Sequence, residues 1–282
     1  VDFPIKGGTG VITGAASGIG AALAVNLAGR GMHLALADRN AAGLGATADR
    51  ARALGVTVSE HVLDVTDLAA LEAFPEAVLA RHDRVSLLVN NAGVALMGSF
   101  EQVSMADFAW VMDINFWAPV RLTRAFMYVL RREPAAHIVN ISSIFGLIGV
   151  PGNVPYCASK FAVRGFTEAL RSELAGSPIS LTSVHPGGIR TAIADTARLS
   201  QGIDPAEART ATTEFNKLLK TSPEDAAQVI AEAIRKRHGR ALIGGDARMV
   251  DRIQRIFPMT YWKRISRGQA NVASSMTPKS GN

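Results

Sequence analysis

Tyr156 and Lys160 stand four residues apart in Tyr156-Cys157-Ala158-Ser159-Lys160, with the pair Ser142-Ser143 upstream and an apolar-periodic run, 161–174, downstream. In a helix that spacing puts a phenol and an ammonium one turn apart on one face. A phenol titrating near pH 10 is a weak base at neutral pH. Moving it to about 7 takes roughly 4 kcal/mol of preferential phenolate stabilisation, and one cation at about 4 Å in a partly solvated setting supplies an amount of that order. The spacing therefore predicts that Lys160 alone brings Tyr156 into the range of a general acid/base. Ser143 would hold the substrate oxygen whose proton Tyr156 takes or gives. An exposed helical Tyr with a solvated Lys one turn later is the plainer reading, and it loses only if the rest of the chain supplies a cofactor site.

The elements needed to position this pair are present in order. Thr9 to Thr13 is a short β-prone run leading into Gly14-Ala15-Ala16-Ser17-Gly18-Ile19-Gly20 and then a helical stretch, 21–28. Strand, glycine turn and helix together aim backbone N–H groups at a point where a pyrophosphate can sit, and the glycines clear the approach. The spacing is G-x-x-x-G-x-G, so the signal rests on its context.

A second strand, 32–37, ends at Asp38-Arg39. An acid this far beyond the glycines accepts hydrogen bonds from ribose hydroxyls and repels a 2′-phosphate, which favours NAD over NADP. Arg39 could instead hold that phosphate. Asp64-Val65 closes a third strand, where Asp64 could meet an adenine amino group or cap the following helix. The run 85–89, strand-forming without alternation, reads as a central parallel strand delivering Asn90-Asn91-Ala92-Gly93.

Asn115 lies inside a helical pattern, 105–131, where an amide needs a partner. That partner is either backbone or a water reaching Lys160. Strand 137–141 delivers Ser142 and Ser143, and strand 179–185 delivers Pro186-Gly187-Gly188-Ile189-Arg190-Thr191. The alternation implies an α/β fold, a doubly wound parallel sheet with helices on both faces, whose crevice lies beyond the strands' carboxyl ends.

Composition narrows the classes. A chain of 282 residues with 48% hydrophobic and 19% charged residues is globular and of a length for one α/β domain with extensions. The formal charge of +6 suggests nucleic acid, but its basic residues do not cluster before the C-terminal region, and no zinc or other metal pattern accompanies them. The expectation is no nucleic-acid partner and no metal. A single Cys, no signal-like apolar segment and no apolar run of 18 residues lead to an expectation of a soluble, cytoplasmic protein.

In these motifs, Thr13 to Gly20, Asp64-Val65, Asn90 to Gly93, Asn115, Ser143, Tyr156-x-x-x-Lys160 and Pro186-Gly187, the chain resembles the short-chain dehydrogenase/reductase family over about 6–245. The resemblance implies a Rossmann-like domain and a tetrad of Asn115, Ser143, Tyr156 and Lys160. Tyr156 would be the acid/base and Ser143 would orient the substrate oxygen. Lys160 would lower the phenol pKa and bind the nicotinamide ribose, and Asn115 would hold a relay water. The dinucleotide site it implies comprises Gly14, Ser17, Gly18, Ile19, Gly20, Asp38, Arg39, Asp64, Val65, Asn91, Ala92, Gly93, Tyr156, Lys160, Pro186, Gly187, Ile189 and Thr191. The reaction would interconvert a secondary alcohol and a ketone. A non-catalytic dinucleotide sensor or scaffold, or a dehydratase or epimerase on the same fold, are the alternatives. The resemblance also implies a homodimer or homotetramer formed through 105–131 and 156–174.

The variable parts begin after Gly187. Residues 189–219 form the expected substrate lid, with Phe215 and Leu218 as apolar contacts, and their lack of concentrated charge leans towards a small hydrophobic alcohol or ketone. Ser222-Pro223-Glu224-Asp225 opens a helix. The catalytic domain spans 1–245. Residues 246–273 form a basic amphipathic extension that either packs over an active site or lies on an anionic membrane, and 274–282 reads as a disordered tail.

Overall fold

In the computed structural model, which describes residues 1–217 and 219–267, the apolar runs become a seven-stranded parallel sheet. Its strands are β1 (Thr9–Thr13), β2 (His33–Asp38), β3 (Val58–Val62), β4 (Leu87–Asn90), β6 (Ala136–Ile141), β7 (Ile179–Pro186) and β9 (Arg240–Ile243). Two further strands, β5 (Leu96–Met97) and β8 (Arg198–Leu199), form a small parallel pair of their own. The helices are α1 (Gly18–Ala28), α2 (Ala41–Arg52), α3 (Leu68–Leu79), α4 (Met105–Met112), α5 (Ala118–Leu130), α6 (Val154–Glu173), α7 (Pro205–Lys217), α8 (Pro223–Arg235), α9 (Gly245–Ile256) and α10 (Tyr261–Arg267).

The main sheet runs β3-β2-β1-β4-β6-β7-β9. Because β1 is flanked by β2 on one side and β4 on the other, the strand order reverses there, and a crevice opens at the carboxyl ends. Successive residues of the central strands serve opposite layers. Ile12, Val89 and Val139 face Leu23, Leu27, Ile230 and Ile234 of α1 and α8, whereas Val11, Leu88 and Ile138 face Leu71, Phe74, Leu122 and Phe126 of α3 and α5. Both faces are therefore apolar, which is why these strands read as unbroken hydrophobic runs. Each such side chain contributes about 1.5–3 kcal/mol by leaving water.

One expectation changes in detail. The pattern 105–131 is not one helix, because Asp113–Trp117 forms a π turn between α4 and α5. Pro119 is the physical reason, since it lacks the N–H that a regular helix would direct to the Asn115 carbonyl. The segment 189–219, expected as a substrate lid, contains strand β8 and helix α7. Its strand β8 pairs with β5, and Arg198 both stacks 3.7 Å over Trp110 and donates from Nη1 to Asp107 at 2.8 Å. The contacts expected of the Phe215 side chain and of Leu218 lie outside what the structure describes, as do 268–273 and the tail 274–282.

Candidate active site

Helix α6 starts beside the end of β6, and it brings Tyr156 and Lys160 onto the face that meets Ser142 and Ser143. Lys160 is buried, its Nζ donating to the Ile141 carbonyl at 3.0 Å and standing 5.5 Å from the centre of the Tyr156 ring. Ser142 does not face the crevice. Its Oγ donates to the Lys160 carbonyl at 2.8 Å, clamping the first turns of α6 to the strand end. Ser143 Oγ caps the short 3₁₀ turn Ile144–Gly146 by accepting from Phe145 N at 3.1 Å, and it lies near enough to the Tyr156 phenol to favour its ionised form.

The electrostatics correct the sequence expectation. Burial pushes the Tyr156 phenol up to about 12, only partly offset by the hydrogen bond with Ser143, while the neighbouring Cys157 adds a small rise. Burial outweighs what Lys160 can offset, since it also pushes the ammonium itself down to about 8 and its Nζ is engaged with Ile141. In the protein alone Tyr156 is thus a neutral phenol, equipped to donate a proton, and Lys160 remains mostly protonated at pH 7. Cys157 is a buried thiol held up by its apolar surroundings.

Asn115 has 1% exposure, and its amide is fully committed. Oδ1 accepts from Val94 N at 2.8 Å, and Nδ2 donates to Val94 O at 3.0 Å and to Ser159 Oγ at 3.1 Å. The Val94 backbone and the Ser159 hydroxyl together hold this amide. A Cβ on Gly93 would lie 3.2 Å from Asn115 Oδ1 and 3.5 Å from Lys160 Nζ, so the strand-end glycine keeps this corner open.

The dinucleotide residues form a second cluster at the same sheet edge. Gly14 and Gly18 have φ of 66° and 55°, and a Cβ on Gly20 would meet the Gly14 carbonyl at 2.2 Å, so side chains are excluded from the turn. Asn91 locks it, with Nδ2 donating to Thr13 O and Gly14 O, both at 3.0 Å. Ser17 makes no side-chain cap, which leaves the first N–H groups of α1, from Gly18 and Ile19 on, directed outward. Thr191 folds back against Gly18, near the pyrophosphate position the turn would create.

Asp38 accepts from Ala16 N at 3.0 Å and Asn40 N at 2.9 Å, tying the second strand to the glycine turn. Arg39 is exposed. Asp64 does not cap α3, because Asp67 does that by accepting from Ala70 N. Instead Asp64 accepts from Thr66 N at 2.9 Å and Thr66 Oγ1 at 2.7 Å, bonds that hold its carboxyl low, with Arg39 adding its charge. Val65 and Ile189 are buried, and Ala92 N is held by Thr13 Oγ1. The set is a glycine-lined cradle at an open helix N-terminus, and it fits a dinucleotide pyrophosphate.

Two residues beside the site, His185 and Asp246, are not singled out by the sequence, whereas Tyr261 belongs to the extension expected either to pack over an active site or to lie on a membrane. His185 is buried on β7, with Nδ1 3.0 Å from the Ser143 carbonyl and Nε2 3.0 Å from Ser183 Oγ. Burial drives its pKa down to about 4, so it is neutral, and the carbonyl partner requires the proton on Nδ1. Asp246, opening α9, accepts from Gly188 N at 2.6 Å, and a Cβ on Gly187 would collide with its carboxylate. Tyr261 accepts from Gly149 N at 2.9 Å, so α10 braces the loop after Ser143. No periodicity marks His185 or Asp246, and only their proximity to strand ends could have raised them.

The short chain dehydrogenase family model matches residues 9–202. SadH of Mycobacterium tuberculosis, an oxidoreductase by name, is 42% identical over 268 residues, covering 94% of this chain and 96% of its own. The chain belongs to the short-chain dehydrogenase/reductase family. Among solved structures, a Burkholderia phymatum member of this family in complex with NAD superposes with a TM-score of 0.82 at 30% identity, covering 99% of each chain. A metagenomic short-chain oxidoreductase in complex with NADP matches with a TM-score of 0.68 at 30% identity, covering 84% of this chain and 97% of its own. The fold, the oxidoreductase class and a nicotinamide dinucleotide cofactor follow from family membership.

Proposed function

We propose that the protein is an NAD-preferring dehydrogenase/reductase that interconverts a small hydrophobic secondary alcohol and its ketone, with Tyr156 as the acid/base. The supporting observation is the convergence of the Tyr156 phenol, the Ser143 hydroxyl and the Lys160 ammonium beside the side-chain-free Gly93, at the sheet edge that carries the glycine cradle.

A bound nicotinamide supplies the hydride donor or acceptor. Ser143 orients the substrate oxygen, and Tyr156, a phenol at neutral pH, gives its proton to that oxygen in the reductive direction. Lys160 stabilises the phenolate left behind and reaches the nicotinamide ribose. Since the Asn115 amide is occupied, its part in a proton relay belongs to its main-chain carbonyl, which Pro119 leaves without the usual helical donor. Asp38, at the end of β2, disfavours a 2′-phosphate and supports NAD, with Arg39 as the residue that would admit NADP. The subunits pair through α5 and α6, where Tyr128 and Phe161 are exposed, as is Trp117 just before α5. The site works in the cytoplasm.

The test follows nicotinamide absorbance with a panel of secondary alcohols and ketones, each with NAD and with NADP. Turnover with higher kcat/KM for NAD is the expected result. Saturable dinucleotide binding without turnover on any carbonyl or alcohol would move the protein to the sensor reading. Product formation without net absorbance change would indicate a dehydratase or epimerase.

A further inference from the structure

The net charge of the protein sits in one place. Of its 30 Lys and Arg, six lie beyond Asp251 (Arg252, Arg255, Lys263, Arg264, Arg267 and Lys279), and no Asp or Glu follows Asp251. The first 251 residues therefore hold 24 cations against 24 acids, and the formal charge of +6 belongs entirely to the remainder.

The structure turns the described part of this segment into a two-faced layer. Its inner face is fixed: Val250 and Ile265 pack with Ile148, Val150 and Cys157, and Ile253, Tyr261 and Trp262 lean on the same cluster. The acids of α9 are also consumed inward, Asp246 by Gly188 N and Asp251 by Arg240 at 2.6 Å and Arg255 at 3.1 Å. The outer face carries Arg248, Arg252, Lys263 and Arg264 with Met249, Ile256 and Met259, whose exposures are 50%, 68% and 92%. Aliphatic side chains this exposed, set among cations on helices whose described acids are all engaged inward, match a boundary that is anionic outside and apolar within. A second copy of the chain would oppose cation to cation across a two-fold axis. A nucleic acid would leave the three aliphatic side chains against phosphates.

We propose that the outer face of α9 and α10 docks on the surface of an anionic phospholipid bilayer, with the Arg and Lys heads at the lipid phosphates and Met249, Ile256 and Met259 entering the acyl boundary. This is surface contact, since no described helix is long and apolar enough to cross a membrane.

Sedimentation of the full chain with vesicles tests it, using phosphatidylglycerol mixed into phosphatidylcholine and phosphatidylcholine alone. The expected result is recovery with the anionic vesicles at low ionic strength, loss at about 0.5 M salt, and little recovery on pure phosphatidylcholine. Arg248→Glu with Arg252→Glu should weaken partition at least about 25-fold, at about fivefold per cation. Ile256→Ser with Met259→Ser should weaken it severalfold. Both variants should keep wild-type circular dichroism and turnover of a water-soluble substrate. No recovery on anionic vesicles would overturn the proposal. So would equal binding by wild type and the serine variant, or binding to duplex DNA that matches vesicle binding, both of which mark a polyanion site. Self-association lost in the variants would assign the face to a second copy.

Discussion

Replacing Lys160 by Met separates what the site needs for chemistry from what the fold tolerates. An ammonium that titrates near 8 in the fold and near 10.5 in a free lysine is disfavoured by about 3 kcal/mol while charged, at about 1.4 kcal/mol per factor of ten. Methionine fills a similar volume without that penalty, but it leaves the Ile141 carbonyl without the donor it now has at 3.0 Å, a loss of about 1–3 kcal/mol. At pH 7 the variant should therefore equal the wild type or exceed it by up to about 2 kcal/mol. The pH dependence is the sharper quantity. Between pH 8 and 10.5 the unfolded lysine keeps a proton that the folded one has lost, so wild-type stability rises with pH across that window, and below pH 8 the penalty is complete. The Met variant has no such slope. Urea midpoints measured from pH 7 to 10 should show the difference between the two proteins moving by about 2–3 kcal/mol in favour of wild type, with contributions from all other groups cancelling. A stability gap that stays constant over this range would refute the assignment of a buried, desolvated ammonium. Turnover in the variant should fall by about 10²-fold or more, since the phenolate loses its cation.

Two further outcomes follow from the geometry. Asp38→Ala should lower kcat/KM with NAD about tenfold and raise the relative use of NADP, because it removes the charge next to the ribose position and leaves Arg39 in place; an unchanged NAD to NADP ratio would remove Asp38 from cofactor selection. His185→Leu should reduce kcat about tenfold with little change in the KM for the dinucleotide, because the Ser143 carbonyl loses its donor. His185→Asn, whose amide restores that donor, should recover most of it, whereas equal losses in both would mean His185 only packs.

The glycine turn, the strand-end motifs and the Tyr156-Lys160 pair were readable because each depends on local chain geometry: a positive φ, a close backbone approach, one helical turn. The doubly wound parallel sheet was readable from the same motifs, since a central strand covered on both faces leaves a run without polar alternation at β4. The Tyr156 pKa was not readable, because spacing gives a cation's neighbourhood but not the desolvation that outweighs it. The π turn at Asn115 had a visible cause in Pro119, yet a proline there also suits an ordinary helix start. His185 and Asp246 were hidden for a different reason. Their roles depend on which strand end or helix start meets Ser143 and Gly188, contacts 42 and 58 residues away in the chain.

The central claim is that the Tyr156 phenol moves the proton that accompanies hydride transfer. Its most direct measurement is single-turnover transfer of deuterium from 4-deuterated NADH to a ketone that the wild type reduces, in wild type and in Tyr156→Phe, alongside NADH affinity for both. Phe removes the proton and keeps the ring that packs edge-on with Phe145 at 6.0 Å. The account predicts NADH affinity within a few-fold of wild type and a transfer rate lower by about 10²–10⁴-fold. Transfer within a few-fold of the wild-type rate in Tyr156→Phe would contradict it.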